Sequence, residues 1–259
     1  MGQALYMDDS YLKEFEATVE SVKDDKYIAL DKTAFYPVSG GVAFDTGVLI
    51  RDREEFPVVY VGKFDGIISH EVSKTNRPID TVFDHAENSK SEFSSVSKTG
   101  LKEGDKVKGK IDWGRRYKLM RLHTTAHILA AIMHNKAGAL ITGNQVEIDK
   151  ARMDFSLEEF DRNKIDEYVA LANILVQKGA AVKVGYMKKE EALKIPDMVK
   201  LANKMPPDVE TLRTVEIVGI DKQADGGCHV SNIKEIGKIE LVKVENKGKS
   251  NRRLYFMVQ

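Results

Sequence analysis

A long helical pattern between Gly114 and Lys136 constrains the fold more than any other stretch of the sequence. Its apolar residues cover more than half of the helix circumference, which predicts a central and largely buried helix. They are Leu119, Met120, Leu122, Ala126, Ile128, Leu129, Ile132 and Met133. Within the pattern, His123 and His127 stand four residues apart, so both imidazoles lie on one helical face. Burying them costs free energy unless their nitrogens are satisfied, and a metal ion is one way of satisfying them.

Short β-type runs precede this helix. They alternate with turn residues, as in an antiparallel sheet or small barrel, and cover 15–22, 27–30, 48–50, 57–61, 66–70 and 107–111. A glycine-rich segment, 35–47, lies among them. Its turn residues favour a decorated hairpin. The polar stretch 84–105 is predicted to be a loop.

Strands and helices alternate after the long helix. Predicted strands cover 145–148, 151–155, 182–186, 211–218, 238–244 and 253–258. Ser156 and Glu159 form a capping-box pattern that predicts a second helix ending near Gly179, and 188–194 predicts a short third helix. The expected fold is therefore α+β, with an N-terminal antiparallel β-barrel-like domain over 1–112 and an α+β domain built on the central histidine-bearing helix over 113–259.

A second donor cluster, Asp225-Gly-Gly-Cys-His229, holds the only cysteine of the chain. Two short donor clusters that lie far apart in sequence are what a tetrahedral metal site built from two elements requires. The presence of both clusters therefore favours His123 and His127 as metal ligands over the alternative that they are core histidines satisfied by hydrogen bonds. The remaining histidines, His70, His85 and His134, are expected to be unrelated to the metal.

Composition excludes several classes of protein. Forty basic and forty acidic residues leave no net charge, so any contact with RNA must rest on a local patch. The basic clusters 115–118 and 247–253 either hold phosphates or form solvated faces. No apolar run is long enough to span a membrane, and the N-terminus lacks a signal-peptide pattern. A single cysteine excludes an internal disulfide and favours a cytoplasmic location. No obligate protein partner is evident.

Four stretches, in this order, resemble the alanyl-tRNA editing proteins, which are similar to the editing domain of alanyl-tRNA synthetase. They are the glycine-rich segment 35–47 with Gly40 and Gly41, the His-x-x-x-His stretch 121–127, the pocket segment 142–155, and 225–237. The glycine-rich segment indicates the longer type, with a barrel domain before the editing domain. The resemblance implies hydrolysis of the ester that links serine or glycine wrongly to tRNA for alanine, with Zn²⁺ as cofactor.

The resemblance implies His123, His127 and His229 as zinc ligands and leaves the fourth ligand open. The family often has Cys-Gly-Gly-Thr-His where this chain has Asp225-Gly-Gly-Cys-His229. Asp225 therefore stands in the position of the usual cysteine, with a harder oxygen donor, whereas Cys228 offers the softer sulfur but adjoins His229. Asp225 is the preferred ligand by position, and Cys228 or a water molecule are the alternatives.

A zinc ion with an open position supports ester hydrolysis by polarising the carbonyl or activating water. Zinc proteases of the His-Glu-x-x-His type have a glutamate base after the first histidine, whereas this chain has Thr124, a candidate to assist the reaction. Selecting serine over alanine requires a pocket that hydrogen-bonds the hydroxyl. Thr142, Asn144 and Gln145 are the polar candidates, and the family's glycine-rich motif adds Gly40 and Gly41.

Two other functions are compatible with the same residues. One is a zinc-stabilised tRNA-binding or regulatory protein that keeps the editing fold without catalysis, for which the exchange at Asp225 and Cys228 is the main argument. The other is hydrolysis of a different aminoacyl-tRNA, since the threonyl enzyme has a related editing domain. Arg152 and Asp154 are expected to form a structural ion pair.

Overall fold

The computed structural model describes residues 2–73, 99–157, 161–195, 198 and 209–259. The chain divides into two compact units. The first comprises Met1–Ser39 and Phe44–Arg116, and the second comprises Gly40–Ala43 and Tyr117–Gln259. The division therefore falls inside the long helix, whereas the sequence places the boundary after Asp112. Four residues of the glycine-rich segment belong to the second unit.

The first unit is built on a closed antiparallel barrel. Its strands in chain order are β1 (Gln3–Ala4), β2 (Glu14–Lys23), β3 (Tyr27–Leu30), β4 (Lys32–Thr33), β5 (Gly47–Arg51), β6 (Glu54–Phe64), β7 (Ile67–Val72) and β8 (Lys106–Ile111). The barrel order is β2-β3-β7-β6-β5-β8, and β1 pairs with β4 beside it. Phe15, Phe35 and Phe56 fill its core together with Leu49. The predicted barrel is confirmed; residues 84–98 of the predicted loop lie outside the described residues.

His70 belongs to this barrel core. Its Nδ1–H donates to the carbonyl oxygen of Ile28 at 2.8 Å, and the Thr33 hydroxyl bonds Nε2 at 2.9 Å. Complete burial lowers its pKa to about 4. Both ring nitrogens are therefore satisfied within the first unit, without a metal.

Arg116 was a candidate for phosphate contact, and the structure corrects this interpretation. The side chain is 1% exposed and pairs with Asp45, which is also 1% exposed. Its Nε lies 3.0 Å from both carboxylate oxygens, and its Nη1 donates to the carbonyl oxygen of Ser10 at 2.9 Å. Arg115 is also engaged, since its Nε donates to the carbonyl oxygen of Phe44 at 2.8 Å. These two arginines are structural because a buried carboxylate and main-chain carbonyls require their donors.

The second unit is α+β, as predicted. The long helix α1 (Trp113–Ala137) enters it at Tyr117, and every residue from Leu122 to Met133 is buried. The further elements are β9 (Ile141–Val146), β10 (Ala151–Ser156), α2 (Arg162–Lys178), β11 (Val182–Lys188), α3 (Lys189–Ala192), β12 (Thr211–Ile217), β13 (Asp221–Ala224), β14 (Ile239–Asn246) and β15 (Asn251–Val258). One sheet has the order β14-β15-β10-β9, and the other has the order β11-β12-β13.

One prediction about this unit is wrong, and another is corrected at one residue. Ser156 does not begin the second helix, because it ends β10 opposite Asn251; Asp161 caps α2 instead, accepting from the backbone N–H of Asn163. Within the basic cluster 247–253, Arg253 is not available to a phosphate, because it donates to both oxygens of Asp154 at 2.6 and 2.7 Å. The predicted pair of Arg152 with Asp154 is present at 3.2 Å.

Candidate metal centre

Four side chains from two elements converge in the second unit. Helix α1 supplies His123 and His127, and the loop after β13 supplies Asp225 and His229. Their ligand atoms all lie within 4.8 Å of one another. The Nε2 atoms of His123, His127 and His229 lie 3.7, 3.8 and 3.0 Å from the nearer carboxylate oxygen of Asp225. The sulfur of Cys228 is not among the converging atoms.

The other ring nitrogen of each histidine meets an acceptor. His123 Nδ1–H points at the carbonyl oxygen of Cys228 at 3.4 Å, and His127 Nδ1–H donates to Asp221 Oδ2 at 3.1 Å. His229 Nδ1 lies 3.0 Å from the Thr124 hydroxyl. In the neutral form that carries its proton on Nδ1, each imidazole therefore turns the lone pair of Nε2 towards the centre.

This arrangement fits a metal ion. His229 Nε2 lies 3.0 Å from Asp225 Oδ1, a separation at which either a shared proton or a metal ion holds the two atoms together. A tetrahedral Zn²⁺ with bonds of about 2.0–2.2 Å requires ligand atoms separated by about 3.3–3.6 Å. The Nε2 atoms of His123 and His127 lie 3.7 and 3.8 Å from Asp225 Oδ2, and His229 Nε2 lies 3.0 Å from Oδ1, which are distances of this order. Three imidazoles and one carboxylate are also a donor set that zinc accepts.

Burial and neighbouring charges set the protonation of the cluster. Burial lowers the pKa of His123 to about 3 and that of His229 to about 4. Burial also acts to lower the pKa of His127, but hydrogen bonds to Asp221 and Asp225 outweigh it and raise the value to about 9. Burial opposes ionisation of Asp225, yet the three histidines hold its pKa well below the usual range. Without a metal, His123 and His229 are therefore neutral, His127 is protonated and Asp225 is ionised. Because an imidazole binds a metal in its neutral form, metal binding requires His127 to release a proton.

Gly227 allows the loop to approach His123. A Cβ at this position would lie 2.3 Å from Cε1 and 2.7 Å from Nδ1 of that ring. The loop is held from both sides, since the N–H of Gly227 donates to Asp225 Oδ1 at 2.6 Å and Arg213 Nη1 donates to the carbonyl oxygen of Asp225 at 2.7 Å. Only a residue without a side chain leaves room for the imidazole here.

Thr124 lies beside His229 and is completely buried. Its hydroxyl donates to the carbonyl oxygen of Met120 at 2.9 Å, so it can only accept from His229 Nδ1–H and from the backbone N–H of Val230 at 3.3 Å. The hydroxyl thus contacts the side of His229 that faces away from Asp225.

The candidate substrate-binding residues separate into two groups. Asn144 Nδ2 donates to the carbonyl oxygen of Gly40 at 2.6 Å, and a Cβ on Gly41 would lie 2.6 Å from the same Nδ2. These three residues therefore lie together, where Gly40–Ala43 runs beside β9. Thr142 and Gln145 have other partners. Thr142 bonds Asn251 at 3.1 Å, and Gln145 accepts from Arg152 at 3.0 Å.

Two residues of the centre, Asp221 and Gln223, were not found from the sequence. Asp221 bonds His127, and Gln223 Nε2 donates to Asp221 Oδ2 at 2.7 Å. The alternation of polar residues in Asp221-Lys-Gln-Ala-Asp225, directly before the donor cluster, is the signal that identifies them.

Comparison with known proteins finds relatives that align with this chain over nearly the full length of both proteins. It is 47% identical to the alanyl-tRNA editing protein AlaX-M of Methanosarcina barkeri, over 99% of this chain and 98% of that protein. The protein of the same name from Saccharolobus solfataricus is 42% identical over the whole of both chains. The chain belongs to the alanyl-tRNA editing protein family. The resemblance found in the four sequence stretches is thereby confirmed.

Family models agree with this membership of the editing proteins. Residues 212–255 match the threonyl and alanyl tRNA synthetase second additional domain, and residues 6–82 match the class II (A) tRNA synthetases. The alanine–tRNA ligase of Methanococcus vannielii is 34% identical, and the aligned region covers 94% of this chain but 24% of the ligase. Among the described residues, none of the helices combines the length and hydropathy needed to cross a membrane.

Proposed function

We propose that the chain is a zinc-dependent deacylase that acts in trans, removing wrongly attached serine or glycine from tRNA for alanine. The observation that carries the proposal is the convergence of His123, His127, His229 and Asp225 in a chain that matches alanyl-tRNA editing proteins over its full length. An aminoacyl ester is already activated, so hydrolysis requires a polarised carbonyl and a water molecule rather than a strong protein nucleophile.

Zinc bound by these four residues would polarise the ester carbonyl or lower the pKa of a water molecule towards about 7. The protein controls access to the centre through Asp225. Its side chain is 21% exposed, whereas those of His123, His127 and His229 are 7, 8 and 2% exposed. The substrate ester therefore approaches on the Asp225 side, and the buried histidines exclude water from the other sides.

Thr124 acts as a positioning residue in this proposal. Its single hydroxyl proton is engaged by Met120, so the hydroxyl orients His229 by accepting from Nδ1–H. It does not supply or remove a proton at the ester.

Asn144 is the best candidate for recognising the serine hydroxyl. Its Nδ2 is engaged by Gly40, which fixes the amide and turns Oδ1 into a defined acceptor. A serine hydroxyl donates to such an acceptor, and an alanine side chain does not, so the pocket favours serine. Gly41 supports this arrangement by leaving room for the amide, whereas the partners of Thr142 and Gln145 make these residues weaker candidates.

The proposed partner is an aminoacylated tRNA, and the proposed location is the cytoplasm. Arg115, Arg116 and Arg253 are engaged inside the protein. Among the basic residues of the two clusters, Lys118 and Lys249 are exposed and are the better candidates for phosphate contact.

A zinc-stabilised tRNA-binding protein without catalysis is the second candidate. Four protein donors converge, and four protein ligands are typical of closed structural zinc sites. Against this, the fourth donor is Asp225, the least buried of the four, which adjoins the route that a substrate would take.

Deacylation assays separate these functions. The purified protein, loaded with zinc or treated with a chelator, is incubated with tRNA for alanine carrying serine, glycine or alanine, and with tRNA for threonine carrying serine. The proposal expects zinc-dependent release of serine or glycine from tRNA for alanine, with alanine retained. No zinc-dependent release from any tRNA would favour the binding protein. Release only from tRNA for threonine would favour an editing hydrolase for another aminoacyl-tRNA, since the domain matched by residues 212–255 is shared by the threonyl and alanyl tRNA synthetases.

A further inference from the structure

Strand β13 carries two polar residues on its buried face. Asp221 and Gln223 are each 7% exposed, while Lys222 and Ala224 between and beside them are half-buried. The buried face of a strand is normally apolar, because a buried carboxylate costs free energy unless it is paired and hydrogen-bonded. The sequence of β13 therefore places a costly group beside α1, and the contacts of that group show what it meets there.

Asp221 links Gln223 to His127. Its Oδ2 accepts from Gln223 Nε2 at 2.7 Å and from His127 Nδ1–H at 3.1 Å. Gln223 stands two residues along the same strand, so both side chains lie on one face of β13. The amide donor fixes the rotation of the carboxylate, and the carboxylate in turn fixes the rotation of the imidazole.

We propose that Asp221, held by Gln223, is the positioning residue that orients His127 for metal binding. Its carboxylate keeps the proton of His127 on Nδ1, turns Nε2 towards the centre and increases the basicity of that nitrogen. The Nδ1 atoms of His229 and His123 meet neutral groups instead, the Thr124 hydroxyl and the carbonyl oxygen of Cys228. His127 is therefore the ligand whose donor strength depends on a charged neighbour. This inference rests on the proposed zinc centre and assigns to it residues beyond its ligands.

A purely structural role for Asp221 makes a different prediction. A buried carboxylate that only stabilises the fold changes the unfolding free energy when it is replaced but leaves the metal affinity of the folded protein unaltered. Asp154 supplies a matched control, because it is a 7% exposed aspartate of the same unit, paired with Arg253 rather than with a ligand.

Zinc affinity of the full-length protein tests the proposal without any tRNA. Wild type, Asp221→Asn, Gln223→Met and Asp154→Asn are titrated with zinc against a chromophoric chelator, and each is loaded with Co²⁺ to record its visible spectrum. Thermal unfolding identifies which variants are folded. Asp221→Asn should weaken zinc binding roughly 10–100-fold and change the Co²⁺ absorption. Gln223→Met should show a smaller loss in the same direction, and Asp154→Asn should keep the wild-type affinity and spectrum.

The outcomes distinguish this inference from the proposed function. Wild-type zinc affinity and Co²⁺ absorption in both Asp221→Asn and Gln223→Met would overturn the positioning role and leave the zinc centre intact. An equal loss of affinity in Asp154→Asn would also overturn it, because the effect would then belong to the fold. If the wild-type protein bound no zinc, the zinc chemistry of the proposed function would fail together with this inference.

Discussion

Replacing Gly227 by alanine tests whether the loop before His229 is shaped around His123. The added Cβ would lie 2.3 Å from Cε1 and 2.7 Å from Nδ1 of the ring, whereas carbon atoms in contact are separated by about 3.5–4.0 Å. The ring or the loop must therefore move by about 1 Å. Gly227 is not among the glycines with positive φ, so the backbone conformation itself accepts alanine and the clash is the only expected penalty.

A movement of this size is decisive for a metal ligand. Ligand distances are held to about ±0.2 Å, so a displacement of about 1 Å removes His123 from the coordination sphere. We expect zinc affinity to fall at least as far as it does after loss of an outer-sphere partner, about 10–100-fold. Inserting a methyl group into a filled site should also lower the free energy of unfolding by about 1–3 kcal/mol.

Chelator competition measures the zinc affinity of Gly227→Ala, and urea unfolding of the metal-free protein measures its stability. Gly185→Ala is the matched control, because Gly185 lies in β11 of the same unit and its added Cβ meets nothing closer than Thr214 Oγ1 at 3.4 Å. The control should retain wild-type zinc affinity. Unchanged zinc affinity in Gly227→Ala would refute the reasoning, because the loop would then accommodate a side chain against His123.

Three further predictions follow from buried or converging groups. Arg116→Met should lower the unfolding free energy by about 3–5 kcal/mol, because it leaves Asp45 buried without its partner. Urea unfolding should show that adding Asp45→Leu restores most of this free energy. A small loss in the single variant would contradict the buried pair. His70 has its pKa lowered to about 4 from about 6.5, so its stabilising contribution is present above pH 6.5 and is lost as the pH falls towards 4, about 3 kcal/mol in all. Urea unfolding across this range should show that loss in wild type and a flatter profile in His70→Gln, and equal profiles would exclude His70 as the cause. Asp225→Ala should reduce bound zinc in elemental analysis while Cys228→Ala retains it, and the reverse result would make the Cys228 sulfur the ligand.

Helix α1 and most strands are predictable because their signals are local. The apolar pattern of α1 extends over many turns, and the β-type runs of the barrel are bounded by turn residues, so each element follows from its own sequence. Strand β13 is not predicted, because it lacks such a local signal. Its inward residues are polar: Asp221 bonds His127, which lies far away in the sequence, and Gln223 donates to Asp221.

The buried or paired arginines of the basic clusters could not be predicted from their neighbours in the sequence. Arg116 stands in a run of basic residues that is typical of a phosphate-binding patch, yet its partner Asp45 lies 71 residues away in the sequence. The same applies to Arg253, whose partner Asp154 is 99 residues away. A cluster of basic residues indicates an exposed surface only when its side chains do not pair with carboxylates that are distant in the sequence. Such pairing is visible in the tertiary structure and not in the sequence.

This chain departs from the usual Cys-Gly-Gly-Thr-His pattern at two positions, and the loop contacts the histidines through different atoms at each. Asp225 takes the position of the usual cysteine and contributes its side chain to the cluster. Cys228 takes the position of the threonine but contributes its carbonyl oxygen, which faces His123 Nδ1. Every residue type supplies a carbonyl, so the exchange at Cys228 leaves this contact possible. The exchange at Asp225 replaces a soft sulfur by a hard oxygen. For the proposed zinc centre, we therefore expect Thr124 and Asp221, which contact the histidines, to influence the metal affinity.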